Sequence, residues 1–228
     1  MIELHTWPTP NGWKVAIMLE ECELPYRVVP VDIGRGEQHA DGFRRISPNG
    51  RIPAIVDDDP EFGGEPVSVF ETGAILRYLA EKAGRFAPAD RRGRVELDEW
   101  LFWQVGGLGP MAGQLSHYRN YAEGEHPYSL RRYAREYRRC LEVLDRRLDG
   151  RPYVLGTEYS IADMACWPWV LIAKAMGEEM AGLDRLRDWR ARIKARPAVR
   201  RGVDLLKERR RSAPPNEEER RVLFNQRD

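Results

Sequence analysis

The most informative stretch of the chain is residues 7–14, with the sequence WPTPNGWK. It follows a short strand-like run at residues 2–5 and leads into an apolar-periodic segment at residues 14–22. A strand, a turn rich in proline, asparagine and glycine, and a helix start bring small polar side chains and unsatisfied backbone N–H groups to one place. Two interpretations are open. Thr9 and Asn11 either polarise a bound anion at the helix N-terminus or form an ordinary helix cap.

The composition narrows the range of partners. The chain has 228 residues, enough for one large domain or for two of roughly 100 residues each. Its 37 basic and 36 acidic residues give a net charge of +1, which favours neither nucleic acid nor an anionic membrane. The N-terminus lacks a signal-peptide pattern and no apolar run is long enough to span a bilayer, so we expect a cytoplasmic protein. Cys22, Cys140 and Cys166 are too few and too scattered to predict a disulfide framework or a metal site.

The first 83 residues show the pattern of a small α/β domain in the order β-α-β-α-β-β-α. Pro53 cannot donate to a strand ladder, so it either begins an edge strand with a trans bond or forms a cis Ile52–Pro53 bond beside a ligand. Glu71 and Thr72 open a periodic helix, where they suit a ligand's ammonium and carboxylate groups or simply stabilise the first turn. The predicted strands are residues 2–5, 26–31, 51–57 and 67–70, and the helices are 14–22, 43–46 and the segment after 71.

The remaining chain is predicted to be helical. A linker at residues 84–93 precedes an all-helical domain at residues 94–211. Glycines and a proline in residues 100–111, WLFWQVGGLGPM, predict a kink in its first helix, which leaves either room for a ligand or close helix packing. The pattern SIAD at residues 160–163 predicts a structural capping box. The predicted helices are residues 95–117, 128–148, 161–176, 186–196 and 198–211.

The C-terminal part of the chain is rich in charge. The basic residues between 185 and 211 lie along amphipathic helices without interleaved aromatics, which is typical of solvated faces and not of a nucleic-acid site. Residues 212–228 form a predicted tail, either mobile or docked through its apolar residues 222–224.

Three motifs together resemble the cytosolic glutathione transferases, and within them the nu class of bacterial glutathione-dependent disulfide-bond oxidoreductases. They are TPNGWK at residues 9–14, ISPNGRIPAIVD at 46–57 and the segment at 100–111. FETGAI at residues 70–75 and SIAD at 160–163 are features of the wider family. The resemblance covers nearly the whole chain. It implies a thioredoxin-like N-terminal domain at residues 1–83, an all-α C-terminal domain and a homodimer.

The resemblance also assigns a glutathione site. It implies that Pro53 is the cis proline and that the backbone of Ile52 pairs with the cysteinyl part of the tripeptide. Glu71 and Thr72 would then hold the γ-glutamyl end, whose ammonium and carboxylate groups match these side chains. The resemblance further implies that Gln38 and Arg51 line the groove and that Arg132 reaches from the helical domain toward a second glutathione or a disulfide substrate. Arg51 replaces the lysine common in close relatives.

The turn that opens the first helix contains no cysteine, serine or tyrosine that could lie near the thiol. Because Cys22 is at least two helical turns away, the nucleophile must be the glutathione sulfur, stabilised by Thr9 and Asn11. The resemblance therefore implies a glutathione-dependent disulfide-bond reductase acting on small disulfides or peroxides, with one or two glutathiones or oxidised glutathione bound and no metal. Weak peroxidase or transferase activity is a neighbouring possibility. The alternative is a non-catalytic regulatory or assembly module with the same fold.

Overall fold

The computed structural model describes residues 1–211 and 215–224, and the backbone alone at residue 224. The chain divides into two compact units. One combines Met1–Ala83 with the described residues from 201 onward, and the other is Gly84–Arg200. The helical domain is predicted to extend to residue 211, whereas the described residues from 201 onward group with the first unit. Part of the predicted tail, residues 212–214 and 225–228, lies outside the described residues.

The first unit is built on a four-stranded sheet in the order β2-β1-β3-β4. β1 pairs parallel with β2 and antiparallel with β3, and β3 pairs antiparallel with β4. Leu4 of β1 lies opposite both Val28 and Ile55, so the register places apolar residues side by side at the centre of the sheet. The elements are β1 (Ile2–Thr6), α1 (Pro10–Cys22), β2 (Tyr26–Pro30), a 3-10 turn (Glu37–His39), α2 (Asp41–Ile46), β3 (Ala54–Asp57), β4 (Val67–Phe70) and α3 (Thr72–Ala83).

This element order confirms the predicted thioredoxin-like domain. The third strand is shorter than predicted because Pro53, which has no N–H to donate, precedes it. The Ile52–Pro53 peptide bond is cis, the form that the resemblance implied.

The core of the first unit lies around α1. Nearly the whole helix is buried, from Gly12 through Leu19, and it packs against α3. On α3 the buried residues Ile75, Leu76 and Leu79 form the predicted apolar face. Gly202 also approaches α1 closely, since a Cβ on Gly202 would lie 2.7 Å from the backbone nitrogen of Ile17. The segment after residue 200 is therefore part of this core.

The second unit is almost entirely helical. The predicted single helix at residues 95–117 is instead interrupted by a π-helical turn, Gln104–Leu108, which contains Gly106 and Gly107 and is followed by Pro110. The regular α-helix is thus interrupted where the glycines and the proline predict a kink, and the interruption is a π-turn. The predicted linker also ends early. The helices are α4 (Arg91–Trp103), α5 (Gly109–Asn120), α6 (Pro127–Arg147), α7 (Ile161–Leu171), α8 (Asp184–Lys194) and α9 (Pro197–Asp204), the last of which crosses into the first unit.

The segment after α9 differs from its prediction. The helix predicted to reach residue 211 stops at Asp204, because Leu206 adopts a left-handed conformation with φ of 54°. A short 3-10 turn, Lys207–Arg209, follows, and a further helix, α10, spans Glu217–Phe224. Across the described part of the chain, every helix is too short or too polar to cross a membrane.

Candidate functional site

The N-terminus of α1 is the first part of the candidate site. Thr9 is the N-cap, with extended backbone angles, and its Oγ1 accepts a hydrogen bond from the Gly12 N–H at 3.3 Å. Pro10 occupies the first helical position and Asn11 the second. A threonine hydroxyl can accept one hydrogen bond and still donate its own proton. Thr9 can therefore cap the helix and donate to a bound anion at the same time, so the two interpretations of this turn are compatible.

The first turn of α1 carries no acidic residue. The third helical position, where a capping acid would stand, is Gly12, and a Cβ there would lie 2.3 Å from the Trp7 carbonyl oxygen. No side chain fits at that distance, so this helix cannot supply its own carboxylate at Gly12. Two cations lie near the turn, since Arg209 stands over the Trp7 ring and Arg210 over the Trp13 ring. Both arginines also pair with acids, Arg209 with Glu208 and Arg210 with Asp204, so the attraction for an anion rests mainly on the helix N-terminus.

The start of α3 is the second part of the site. Glu71 has a positive φ of 69°, and its carbonyl oxygen accepts from the Ile75 N–H at 2.9 Å, so it stands immediately before the helix. Its side chain is exposed, whereas Thr72 is buried. The Lys14 ammonium donates to Thr72 Oγ1 at 3.2 Å. This bond joins α1, five residues after its cap, directly to the residue that begins α3.

Gln38 is a buried residue that contacts helix α10. Its side chain is buried, and its Nε2 donates to the Ile33 carbonyl at 3.3 Å and to the Val222 carbonyl at 3.5 Å. His39 Nε2 also contacts the Val222 carbonyl, at 3.1 Å. Among the described residues, Gln38 Oε1 is a buried acceptor without a hydrogen-bond partner. Helix α10 therefore covers Gln38 in this conformation.

Helix α10 is fixed by its own cap and by an ion pair. The Glu219 N–H donates to Asn216 Oδ1 at 2.8 Å, and the Asn216 N–H donates to Glu219 Oε2 at 2.9 Å. Arg211 forms an ion pair with Glu219 at 2.7 Å and lowers the pKa of that carboxyl. Of the two expectations for the tail, docking through its apolar residues agrees with the position of Val222.

The remaining predicted residues lie in different surroundings. Ile52 packs its side chain against the small apolar cluster of Val31, Phe43 and Ala54. Arg51 is exposed, and its carbonyl oxygen accepts from the Ser47 hydroxyl at 2.8 Å. The first unit thus contains Thr9, Asn11, Gln38, Arg51, Ile52, Pro53, Glu71 and Thr72.

Arg132 belongs to the second unit and lies on α6. It forms an ion pair with Glu136 at 2.8 Å, one helical turn along, and this pairing is the main cause that lowers the pKa of the Glu136 carboxyl. The neighbouring Tyr133 stacks on Tyr118 with ring centres 5.5 Å apart. Its predicted role toward a second glutathione or a disulfide stays a prediction.

None of the three cysteines stands at the start of α1. Cys22 is the last residue of α1, so the helix rise of about 1.5 Å per residue places it about 18 Å along the axis from Pro10. Cys140 and Cys166 are buried in the second unit, and burial raises the pKa of the Cys140 thiol. A low-pKa protein thiolate at the candidate site is therefore not available from these side chains.

Lys14 lies in the motif at residues 9–14, but the motif alone predicts no role for it. A lysine within the apolar run at residues 13–19, WKVAIML, was the signal that could have found it, because the run predicts a buried helix face. The contact between Val222 and Gln38 had no comparable local signal, since the two residues are 184 positions apart.

A thioredoxin-like unit with a cis proline, followed by a helical unit, defines the architecture of a glutathione transferase. Models of the glutathione S-transferase N-terminal and C-terminal domains match residues 9–82 and 127–192. The chain is 50% identical to the disulfide-bond oxidoreductase YfcG of Escherichia coli over 207 residues, which is 91% of this chain and 95% of that protein. The chain belongs to the glutathione S-transferase family.

Solved structures of glutathione transferases are also similar to this chain. A glutathione transferase from Burkholderia graminis, crystallised with two glutathione molecules per subunit, is 41% identical with a TM-score of 0.85, covering 90% of this chain and 88% of that one. A glutathione transferase from Pseudomonas putida, crystallised with one glutathione disulfide per subunit, is 39% identical with a TM-score of 0.83, covering 90% and 91%.

Proposed function

We propose that this protein is a glutathione-dependent disulfide-bond reductase whose nucleophile is the glutathione thiolate. The observation that carries the proposal is the start of α1, where a threonine cap and an asparagine stand in a first turn without an acid, and the helix's cysteine lies at its opposite end. Such a turn can stabilise an incoming thiolate and cannot supply one of its own. The oxidoreductase name of the Escherichia coli relative and the glutathione bound in the related crystals support the same reaction and ligand.

The residues of the first unit divide between binding and thiolate stabilisation. Glu71 and Thr72 hold the ammonium and carboxylate of the γ-glutamyl end, and the backbone of Ile52 pairs with the cysteinyl part. Thr9 donates its hydroxyl proton and Asn11 its amide proton to the sulfur. Gln38, Arg51 and Arg132 are proposed to contact the rest of the ligand or a second glutathione.

The energy needed is within reach of these groups. A thiol with a pKa of about 8.5 is only a few per cent ionised at pH 7, and lowering that pKa by about two units takes about 2.7 kcal/mol. A hydrogen bond to a charged group contributes about 1.5 to 3 kcal/mol, and a helix N-terminus about 0.3 to 1 kcal/mol. Two donors at the start of α1 therefore suffice.

The reaction is a pair of thiol–disulfide exchanges. The bound thiolate attacks one sulfur of the substrate disulfide and the other sulfur leaves as a thiolate. A second glutathione thiolate then attacks the glutathione sulfur of the mixed disulfide, which forms oxidised glutathione and releases the remaining substrate sulfur as a thiolate. Two glutathiones thus lose two electrons to one disulfide.

Reduction of 2-hydroxyethyl disulfide by glutathione tests the proposal. We expect Asn11→Ala and Thr9→Ala each to lower kcat/KM about 10- to 100-fold, the equivalent of one hydrogen bond to a charged sulfur. Asn120→Ala, which changes an exposed asparagine at the end of α5, is the matched control and should behave as wild type. If both first-turn variants keep wild-type kcat/KM, the role given to this turn is wrong. If calorimetry detects binding of neither reduced nor oxidised glutathione, the result would instead favour the alternative, a non-catalytic regulatory or assembly module.

Further assignments rest on the motif resemblance alone. We propose that the protein belongs to the nu class, forms a homodimer, acts in the cytoplasm and also accepts peroxides. Light scattering on the purified chain tests the dimer, and a glutathione-dependent assay with cumene hydroperoxide tests the peroxidase activity.

A further inference from the structure

Lys14 is a buried lysine at the junction of the two helix starts. Its side chain is only 2% exposed, although it stands in the second turn of α1. Lysine is almost never fully buried unless its ammonium group is partnered, because desolvation disfavours the charge. The position of this ammonium is therefore specified by the fold.

The contact with Thr72 fixes the direction of a hydroxyl group. An ammonium group has donors and no acceptor, so the oxygen of Thr72 must accept from Lys14 across the 3.2 Å between them. The Thr72 proton then points to some other acceptor. A hydroxyl that accepts from a cation is also polarised and becomes a stronger donor.

The same contact places a positive charge behind the N-terminus of α3. Thr72 is the first residue of that helix, so its hydroxyl and the unsatisfied N–H groups of the first turn share one end of the element. Glu71, one residue earlier, exposes a carboxylate. Positive and negative groups thus stand side by side, as binding of an amino-acid head group requires.

We propose that Lys14 is a positioning residue that makes this site selective for a ligand with an α-carboxylate, acting through Thr72. The inference rests on the proposed function, in which Thr72 holds the γ-glutamyl end of glutathione. Lys14 does not touch the ligand. It orients the Thr72 hydroxyl as a donor and supplies a charge opposite to that of the ligand's carboxylate. Glu71 binds the ligand's ammonium group.

A purely structural role for Lys14 makes a different prediction. If Lys14 only joined α1 to α3, its loss would lower the affinity for every ligand of the first unit by the same factor. If Lys14 positions the Thr72 hydroxyl, its loss lowers the affinity only for ligands that carry the carboxylate.

Calorimetry on the full chain separates the two roles. The ligands are glutathione and 4-aminobutanoyl-cysteinylglycine, which is glutathione without its α-carboxylate. We expect Lys14→Met to weaken the binding of glutathione about 10- to 100-fold, because a charge-assisted contact is lost. The affinity for the decarboxylated peptide, which lacks that contact, should stay within about twofold of wild type. Lys14→Arg, which keeps the charge and the donors, should recover most of the selectivity. In the disulfide assay, Lys14→Met should raise KM for glutathione much more than it lowers kcat.

The outcomes that overturn the inference are distinct. Equal losses for both peptides, or no loss for either, would leave Lys14 a structural residue. If Lys14→Met does not fold, Lys14→Gln retains an N–H donor without charge, and the same selective loss is expected of it. Wild-type protein that binds neither peptide would overturn the proposed function, and this inference with it. Wild type that prefers glutathione while the Lys14 variants keep the same preference would overturn this inference alone.

Discussion

The helices α7 and α1 both begin after a hydroxyl-bearing residue, but their N-termini have opposite electrostatic properties. At α7, Ser160 precedes the helix and Asp163 occupies the third helical position. At α1, Thr9 precedes the helix and Gly12 occupies the third position, where the Trp7 carbonyl leaves no room for a side chain. The start of α7 therefore carries its own anion, and the start of α1 excludes one at the same position.

The carboxylate of Asp163 accepts four hydrogen bonds, all from residues of its own unit. It accepts from the Val154 N–H at 2.9 Å, from the Ser160 N–H at 3.0 Å, from the Ser160 hydroxyl at 3.1 Å and from Trp189 Nε1 at 2.8 Å. All four donors are neutral, and burial raises the pKa of Asp163 to about 6. The comparison teaches that the third helical residue decides whether a hydroxyl-capped helix end is a structural joint or a candidate anion site.

The largest effect is expected from removing the acid of α7. Asp163→Ala leaves buried donors from three residues unsatisfied, so we expect the free energy of unfolding to fall by about 3 to 4 kcal/mol. Asp163→Asn, which keeps one acceptor oxygen, should lose roughly half as much. Urea unfolding measures both. A loss below about 1 kcal/mol for the alanine variant would show that α7 does not depend on its capping box.

The titration of Asp163 should also appear in the pH dependence of stability. The native pKa of Asp163 is raised to about 6, whereas an unfolded aspartate titrates near 3.9. Between these values the native state holds a proton that the unfolded state has released. The free energy of unfolding should therefore decrease as pH rises from about 4 to 6, by up to about 3 kcal/mol.

The control for this profile is Asp163→Asn, in which the contribution between pH 4 and 6 should vanish. Asp57 acts in the opposite direction and in another pH range. Although burial disfavours its charge, hydrogen bonds from Lys82 and Tyr78 lower the pKa of Asp57, so its stabilisation is lost only as pH falls below the ordinary range of a carboxyl. Identical profiles for wild type and Asp163→Asn would contradict the assignment.

Placing an acid in the first turn of α1 should make that end resemble α7. Asn11→Asp is nearly isosteric and adds a negative charge at the second helical position. We expect kcat/KM for disulfide reduction to fall further than the roughly 10- to 100-fold loss expected of Asn11→Ala, because the carboxylate repels the thiolate. The helix itself should gain about 0.3 to 1 kcal/mol. If the Asn11→Asp variant is as active as wild type, no anion binds there.

The smallest loss of stability is expected at the cap of α1. Thr9→Ala removes the acceptor for the Gly12 N–H and should cost about 1 kcal/mol in urea unfolding. Thr9→Ser retains the hydroxyl and should keep both stability and activity. If Thr9→Ser is as inactive as Thr9→Ala, the methyl group matters and the hydroxyl does not donate to the sulfur.

Much of the fold followed from local patterns. The strands β1, β2 and β4, the helix starts at Thr9 and Ser160, and the break near Gly106 all arise from residues within a few positions of one another. The predicted length of the helix at residues 198–211 was wrong, because Leu206 adopts a left-handed conformation for which its side chain has no intrinsic preference. Helix α10 was missed because its eight residues are too few for a clear period.

The sequence by itself determined the two-part architecture, the hydroxyl caps, and the absence of cysteine from the turn at residues 7–14. Only the tertiary structure decided how that turn is used. The Trp7 carbonyl closes the space at Gly12, Lys14 reaches Thr72 across 58 positions, and Val222 covers Gln38 across 184. Caps and periodic faces depend on neighbours within one helical turn and can be read from the chain. Contacts between distant residues depend on how the helices pack, which local propensity does not specify.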